Sequence, residues 1–189
     1  MLFVISAPSG AGKTTIIREL YKIFPKLKFS VSATTRGKRK NEVDGKDYYF
    51  ITPDEFKLKI ENDEFVEWEE VYGNYYGTLK SELEKSLGSG DDMMFDVDVK
   101  GALSIKKLYP EAVIFFIDVP ADELIERLKR RGTESEEQLK KRAERISLEI
   151  AEKDKFDHII DNKNQSGGLQ KAVNEIFKII TKYKLKKWQ

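Results

Sequence analysis

The chain has 189 residues, and its 34 basic and 33 acidic side chains leave a net charge of +1. This length is typical of one domain, and the near balance of charge excludes the basic excess of a dedicated nucleic-acid-binding protein. With no cysteine and one histidine, His158, disulfides, thiolate chemistry and multi-histidine metal sites are excluded. No stretch approaches the ~20 apolar residues of a membrane-spanning helix, and the apolar opening is too short for a secretory signal. We therefore expect a cytoplasmic protein with no nucleic-acid, membrane or obligate protein partner.

The first predicted elements are a buried strand, a glycine-rich loop and an amphipathic helix. Leu2–Ile5 is a continuous apolar run, typical of a strand in the middle of a parallel sheet. The loop follows at once, because residues 6–14 read SAPSGAGKT, and apolar residues then recur at helical spacing as far as Pro25. This is the context of a phosphate-binding P-loop, in which backbone N–H groups and the helix N-terminus bind an anion.

In such a loop, Lys13 reaches the β- and γ-phosphates and the Thr14 hydroxyl ligates Mg²⁺. The strict pattern has glycine at position 7, whereas this chain has Ala7, which fits if its φ angle is negative. The alternative is an ordinary glycine-rich turn, which the adjacent lysine and threonine disfavour. The loop residues that we predict bind ATP are Ala7, Pro8, Ser9, Gly10, Ala11, Gly12, Lys13, Thr14 and Thr15.

The next segment, residues 30–78, is polar, aromatic and alternating, which predicts a small, mainly antiparallel lobe. Within it, Thr52-Pro53-Asp54-Glu55 combines a capping box with proline at the first helical position, so a short helix should start there. Strict alternation over residues 65–72 predicts one face with Val66, Trp68 and Tyr72. The same alternation predicts an opposite face with Phe65, Glu67, Glu69 and Val71.

Two further apolar runs, Met93–Val97 and Val113–Val119, predict buried strands joined by a crossover helix. Strands that alternate with helices indicate an α/β fold, with a parallel sheet flanked by helices on both faces. Asp96 lies at the end of the first of these strands, where a carboxylate can hold hydrated Mg²⁺ beside a P-loop. The alternative for Asp96 is a simple strand-end cap.

Residues 122–155 are strongly helical and charged, and Gly132 and Thr133 interrupt them near the middle. This pattern predicts a pair of exposed helices, and hence a candidate lid. The lid arginines are Arg127, Arg130, Arg131 and Arg142. Phosphoryl transfer needs cations around the migrating group, and arginines on a closing lid can supply them. The alternative is that these arginines lie on a solvated helix face, and this applies particularly to Arg130.

Several motifs together resemble the guanylate kinase family in order and spacing, from Leu2 to about Asn162. They are SAPSGAGK (6–13), SVSATTR (30–36), GKDY (45–48), GNYYGT (73–78) and RGTESEE (131–137). The resemblance implies a P-loop NTPase-type parallel sheet, a GMP-binding lobe and a helical lid in a single domain spanning 1–189. The implied core is 1–31, 80–121 and 156–189, the implied lobe 32–79 and the implied lid 122–155.

The implied reaction is phosphorylation of GMP to GDP with ATP and Mg²⁺, with ATP and GMP as the substrates. The resemblance assigns the GMP phosphate to Arg36, Arg39, Tyr48 and Tyr76, and the guanine to Ser32, Thr78, Glu67 and Asp98. It assigns catalytic roles to Lys13, Arg36, Arg127, Arg131 and Arg142, the adenine side to Asn162, and Mg²⁺ to Thr14 and Asp96. Lys100 departs from a common glutamine of the family.

Other interpretations stay open from the residues alone. Tyr48, Tyr76 and Trp68 could form the core of the small lobe, and Glu67 could lie on a solvated face. His158 is adjacent to two isoleucines, which favours a strand-edge position over catalysis. Two other functions also remain possible: a kinase for another nucleoside monophosphate, and a non-catalytic module of the same fold that binds protein partners.

Overall fold

The computed structural model describes residues 1–131, 136–163 and 167–186. The strands are β1 Leu2–Ser6, β2 Lys28–Phe29, β3 Ala33–Thr34, β4 Tyr49–Phe50, β5 Phe65–Val71, β6 Asn74–Leu79, β7 Met93–Val97, β8 Val113–Asp118 and β9 His158–Asp161. The helices are α1 Lys13–Ile23, α2 Pro53–Glu61, α3 Lys80–Ser89, α4 Val99–Leu108, α5 Ala121–Arg131, α6 Glu136–Ala151 and α7 Gly168–Lys186. A short 3₁₀ helix covers Lys153–Lys155. Among the helices described, none is long and apolar enough to cross a membrane.

The main sheet has five parallel strands in the order β2-β7-β1-β8-β9. Its central strand, β1, is buried along its whole length, and Val4 pairs with Phe95 on one side and Ile114 on the other. Apolar clusters cover both faces of the sheet, one with helices α1 and α7 and the other with α4. The predicted α/β fold, with helices flanking a parallel sheet, is therefore confirmed.

The second sheet has four strands in the order β4-β3-β6-β5, and its β3–β6 and β5–β6 pairs are antiparallel. Its small core is aromatic, because Phe56 of helix α2 stacks on Phe65 with ring centroids 4.4 Å apart. Helix α2 begins at the predicted capping box, in which the Thr52 hydroxyl accepts from the Glu55 N–H and the Glu55 carboxylate accepts from the Thr52 N–H. The predicted lobe is confirmed as a mainly antiparallel sheet with one helix.

The predicted faces of β5 are wrong at Phe65, because a bulge interrupts the strand at Val66. Phe65 pairs with Leu79, and Glu67 pairs with Thr78, so one extra residue lies between the two pairs. The bulge puts Phe65 on the same face as Trp68, towards the aromatic core of the lobe, while Val66 packs against the main core. Glu67 and Glu69 remain together on the opposite face. Trp68 is 46% exposed, so it does not fill the core of the lobe.

The predicted helical pair over 122–155 is observed as α5 and α6, with residues 132–135 outside the described range. Leu124, Leu128 and Ile146 are buried in the same cluster as α1 and α7. Arg130 pairs with Glu126 on the solvent side, where its side chain is 64% exposed, so the solvated interpretation of Arg130 is confirmed. Helix α3 was not predicted; Leu83 packs in the main core, and the rest of this short helix is largely polar.

Candidate active site

A cleft of about 810 Å³ lies at the carboxyl ends of β1 and β7. This is the usual position for a ligand in an open parallel sheet. Three parts of the chain form its walls: the loop after β1, the Glu67 face of the second sheet, and one side of helix α6. The predicted site residues that line it are Ala7, Pro8, Ser9, Gly10, Ala11, Gly12, Lys13, Thr14, Thr15, Ser32, Arg39, Tyr48, Glu67, Tyr76, Asp96, Asp98 and Arg142.

The loop between β1 and α1 has the backbone of an anion site. Gly10 and Gly12 have φ angles of 94° and 87°, which disfavour any side chain, and a Cβ atom at Gly12 would also lie 2.9 Å from the Asn162 amide nitrogen. Among the described non-glycine residues, Asp63 and Tyr72 are the ones with positive φ. The φ angle of Ala7 is therefore not positive, so an alanine in place of the usual glycine is compatible with the loop.

Lys13 is the first residue of α1, and its amine turns towards the end of β7. Its Nζ atom lies 2.6 Å from Asp96 Oδ1 and donates to the Val97 carbonyl oxygen at 2.9 Å. Burial by itself lowers the pKa of Lys13, but the Asp96 carboxylate outweighs it and raises that pKa above its usual value. The lysine is therefore a permanent cation at the floor of the cleft.

Thr14 and Asp96 offer the oxygen donors that Mg²⁺ prefers. Both residues line the cleft, and Asp96 is partly exposed to it. In the described part of the chain, no cluster of three or more carboxylate, histidine or cysteine side chains could hold a metal by itself. A hydroxyl and a single carboxylate fit a magnesium ion that keeps several waters and shares its ligands with a nucleotide.

Asn162 and Arg127 contact the loop from behind. The Asn162 side chain is buried and donates to the Ala11 carbonyl oxygen at 2.8 Å. Arg127 donates to the Asn162 carbonyl oxygen at 2.9 Å and to that of Gly10 at 3.4 Å. Neither residue is part of the cleft lining, so both hold the phosphate-binding loop in this structure.

Arg39, Tyr48 and Tyr76 line the end of the cleft formed by the second sheet, and Arg36 lies next to Tyr48 but outside the cleft lining. Arg36 makes two hydrogen bonds to the Glu42 carboxylate, at 2.8 and 3.0 Å, and its guanidinium lies 5.4 Å from the Tyr48 ring centroid. Burial, together with the Asp96 carboxylate, raises the pKa of Tyr48 to about 12. Tyr48 therefore stays neutral, and with Tyr76 at its ring edge it can donate to an anion.

Two carboxylates meet at Gly101, on the first turn of α4. A Cβ atom there would lie 2.6 Å from Glu67 Oε2 and 3.2 Å from Asp98 Oδ1. Thr78 donates to Glu67 Oε1 at 2.6 Å, and burial raises the pKa of Glu67. Asp98 caps α4 by accepting from the Gly101 N–H at 2.8 Å. Glu67 thus faces the cleft, and the pair can accept two hydrogen bonds from one ligand.

The face of α6 that lines the cleft carries Arg142, Arg145 and Glu149. Arg142 donates to the Ser9 hydroxyl at 2.7 Å and lies 4.7 Å from the Tyr72 ring centroid. Sequence reasoning predicted Arg142 but missed Arg145, Glu149 and Glu69. The spacing of Arg145 and Glu149 carried a signal, because positions three and seven residues after Arg142 lie on the same helix face. Arg131 ends α5, and its side chain lies outside the described part.

Comparisons with known proteins are consistent along nearly the whole chain. A family model described as guanylate kinase matches residues 1–183. A guanylate kinase from Carboxydothermus hydrogenoformans is 48% identical over 187 residues, covering 98% of this chain and 90% of that protein. One from Thermotoga maritima is 46% identical over 174 residues, covering 92% and 84%. The crystal structure of guanylate kinase from Anaplasma phagocytophilum is similar with a TM-score of 0.76 and 29% identity, covering 97% of this chain and 85% of that one.

Proposed function

The chain belongs to the guanylate kinase family and is an enzyme that phosphorylates GMP; we propose that ATP is the phosphoryl donor, that Mg²⁺ is the metal, and that the transfer takes place in the cleft described above. One observation carries this proposal: the cleft joins a phosphate-binding loop to a pair of carboxylates that meet at Gly101. The loop suits a nucleotide phosphate chain, and the carboxylates suit a base edge that offers donors.

Guanine matches the carboxylate pair by its hydrogen-bonding edge. It offers two donors, N1–H and the 2-amino group, and ionised carboxylates are acceptors only. Adenine has an unprotonated N1 and no 2-amino group, so its corresponding edge would offer no donor to Glu67 or Asp98. In this proposal Ser32 and Thr78 complete the guanine site, while the GMP phosphate binds to Arg36, Arg39, Tyr48 and Tyr76.

The proposed mechanism is positioning and electrostatic stabilisation, with no covalent intermediate. Lys13 and the loop N–H groups bind the phosphates of ATP, and Arg131 and Arg142 place positive charge around the migrating group. Arg127 contributes from behind the loop, which it holds through the Gly10 carbonyl oxygen. An oxygen of the GMP phosphate is itself a competent nucleophile, so no general base is needed. Thr14 and Asp96 would hold Mg²⁺, which neutralises charge on the donor phosphates when it is bound.

The test is an ADP-release assay with ATP, Mg²⁺ and five acceptors: GMP, AMP, CMP, UMP and dTMP. We expect turnover with GMP to exceed turnover with every other acceptor. The Lys13→Ala variant, purified identically, controls for a contaminating kinase. Equal or faster turnover with another acceptor would contradict GMP as the preferred acceptor. ATP binding without transfer to any acceptor would favour a non-catalytic binding module.

A further inference from the structure

Arg145, on helix α6, binds three carboxylates from three different elements. Its Nη2 atom lies 2.8 Å from Glu69 Oε2 on β5 and 2.8 Å from Asp98 Oδ2 at the start of α4. Its Nε atom donates to Glu149 Oε1, one turn further along α6, at 2.7 Å. A guanidinium nitrogen of this kind has two hydrogens, so the two bonds from Nη2 fix its orientation. Arg145 thereby connects the lid helix to both the lobe and the core.

The contacts of Arg145 differ from those of an ordinary surface ion pair. The side chains of Arg145, Glu69, Asp98 and Glu149 are exposed by 24, 15, 22 and 11%. Partly buried, charge-assisted hydrogen bonds are shorter and stronger than solvent-exposed pairs. Glu69 has a second cation, because Lys100 lies 2.9 Å from its Oε1 atom.

Both oxygens of Asp98 are held in this structure. The Gly101 N–H binds Oδ1 and Arg145 binds Oδ2, so the carboxylate is oriented from the helix on one side and from the lid on the other. Each oxygen retains a further lone pair for a ligand. Without Arg145, the Asp98 carboxylate would lose the contact that fixes Oδ2, and its negative charge would be left beside Glu69 without the shared cation.

On the basis of the proposed function, we propose that Arg145 is a positioning residue for guanine selection. From α6 it orients the Asp98 carboxylate towards the base, so the guanine site is complete when α6 lies against β5 and α4. Arg145 acts through Asp98, and therefore it should affect the acceptor base and not the binding of ATP.

A double-mutant cycle tests this role directly. The four proteins are the wild type, Arg145→Gln, Asp98→Asn and the double variant, each assayed with GMP and with AMP. We expect Arg145→Gln to raise KM for GMP by about 10-fold, the scale of a lost partner to a buried polar group, and to reduce the preference for GMP over AMP by a similar factor. In the Asp98→Asn background, Arg145→Gln should raise KM for GMP by less than about 2-fold, because the Asp98 carboxylate through which Arg145 acts is already absent.

A matched control removes a cation from the same helix. Lys141 pairs with Glu137 one turn away and is 64% exposed, so Lys141→Gln should leave both KM values unchanged. If Arg145→Gln does not fold, Arg145→Lys keeps the charge and most of the stem and enters the same cycle. An unchanged KM for GMP, an equal rise in KM for ATP, or a full additional loss in the Asp98→Asn background would each overturn the inference. A wild type without activity on GMP would instead overturn the proposed function.

Discussion

At the residue scale, Lys13 should be needed for catalysis but not for folding. Its amine points into the cleft, where it meets Asp96 and the Val97 carbonyl oxygen. We expect Lys13→Ala to lower kcat by at least ~100-fold, the scale of one preorganised contact with the transition state. Asp96 keeps access to water, so the thermal unfolding midpoint should change little. Turnover close to that of the wild type, measured with saturating ATP and GMP, would contradict the role of this loop.

Glu67 should decide between guanine and adenine. Thr78 engages one oxygen of Glu67, which leaves the other for the base. A site built on hydrogen bonds rejects analogues that lack them by ~10⁴- to 10⁵-fold, and we expect kcat/KM for GMP to exceed that for AMP by at least ~10³-fold. In Glu67→Gln, the amide oxygen can accept from Thr78 and the NH₂ group then faces the base, where it repels N1–H of guanine and suits N1 of adenine. The ratio of kcat/KM values should therefore narrow; an unchanged ratio would refute this account of the pocket.

Glu67 should also give GMP binding a pH dependence. Burial raises its pKa, so it takes up a proton at a higher pH than an exposed glutamate. Protonation puts a donor hydrogen on a carboxylate that must accept from guanine, so kcat/KM for GMP should fall as pH decreases through the raised pKa. The ionisation of the substrate phosphates also changes with pH, but it affects the wild type and Glu67→Gln equally and cancels in their ratio. We therefore expect the ratio of wild-type to Glu67→Gln kcat/KM to fall on the acid side, and a ratio independent of pH would contradict the ionised acceptor.

At the scale of the element, the first turn of α4 is built around the missing side chain of Gly101. A methyl group there would meet the far ends of Glu67 and Asp98, which can move aside at little cost to the fold. Their movement, however, displaces both proposed guanine acceptors. We expect Gly101→Ala to raise KM for GMP by at least ~10-fold, the cost of acceptors that no longer meet their donors. KM for ATP should be unchanged.

The control for Gly101→Ala is a second helical glycine with open space around it. Gly88, on α3, has no atom within 4 Å of the position of an added Cβ. Gly88→Ala should leave both KM values unchanged and stabilise the protein by roughly 0.5–1 kcal/mol, the difference in helix propensity. If both alanine variants bound GMP equally well, the space at Gly101 would have no role in the site.

Elements with a strong local signal could be predicted from the sequence, and those fixed by distant contacts could not. The strands β1 and β7 are uninterrupted apolar runs, and the capping box marks the start of α2 without any tertiary information. The bulge at Val66 has no such signal, because Phe65 enters the aromatic core of the lobe while Val66 packs on the main core. Two cores compete for adjacent residues, and only the folded chain shows how the strand accommodates both.

The residues of the site likewise differ in whether the sequence alone could predict them. The phosphate-binding loop is contiguous, so its residues could be predicted, and the carboxylate pair followed from a resemblance in sequence. The role of Arg145 depends on three carboxylates that come from β5, α4 and α6. No local pattern relates these positions, which lie up to 76 residues apart in the chain. Only the helical spacing of Arg145 from Arg142 indicated that Arg145 faces the cleft.

At the scale of the whole molecule, three parts of the chain each supply an incomplete site. The core provides the phosphate-binding loop, the second sheet provides Glu67 and the phenols, and α6 provides Arg142 and Arg145. Contacts already join them: Arg142 reaches both the loop and Tyr72, and Arg145 reaches Glu69. We propose that the lobe 32–79 and the lid 122–155 move relative to the core formed by 1–31, 80–121 and 156–189.

Ligands should favour the closed arrangement of these three parts. The exposed cation–π contact of Arg142 with Tyr72 contributes only ~0.5–1 kcal/mol. The hydrogen bonds of Arg145 are stronger, but the ordering of the side chains and of the joined parts opposes them, so the unliganded protein should sample several arrangements. ATP and GMP phosphates bind cations from all three parts at once, which gives them a higher affinity for the closed state. Small-angle scattering should show the smallest radius of gyration with GMP and a non-hydrolysable ATP analogue together, and an intermediate value with either ligand alone. An identical radius in all four states would contradict the hinged arrangement, because cations on separate parts would then surround the phosphates without any movement.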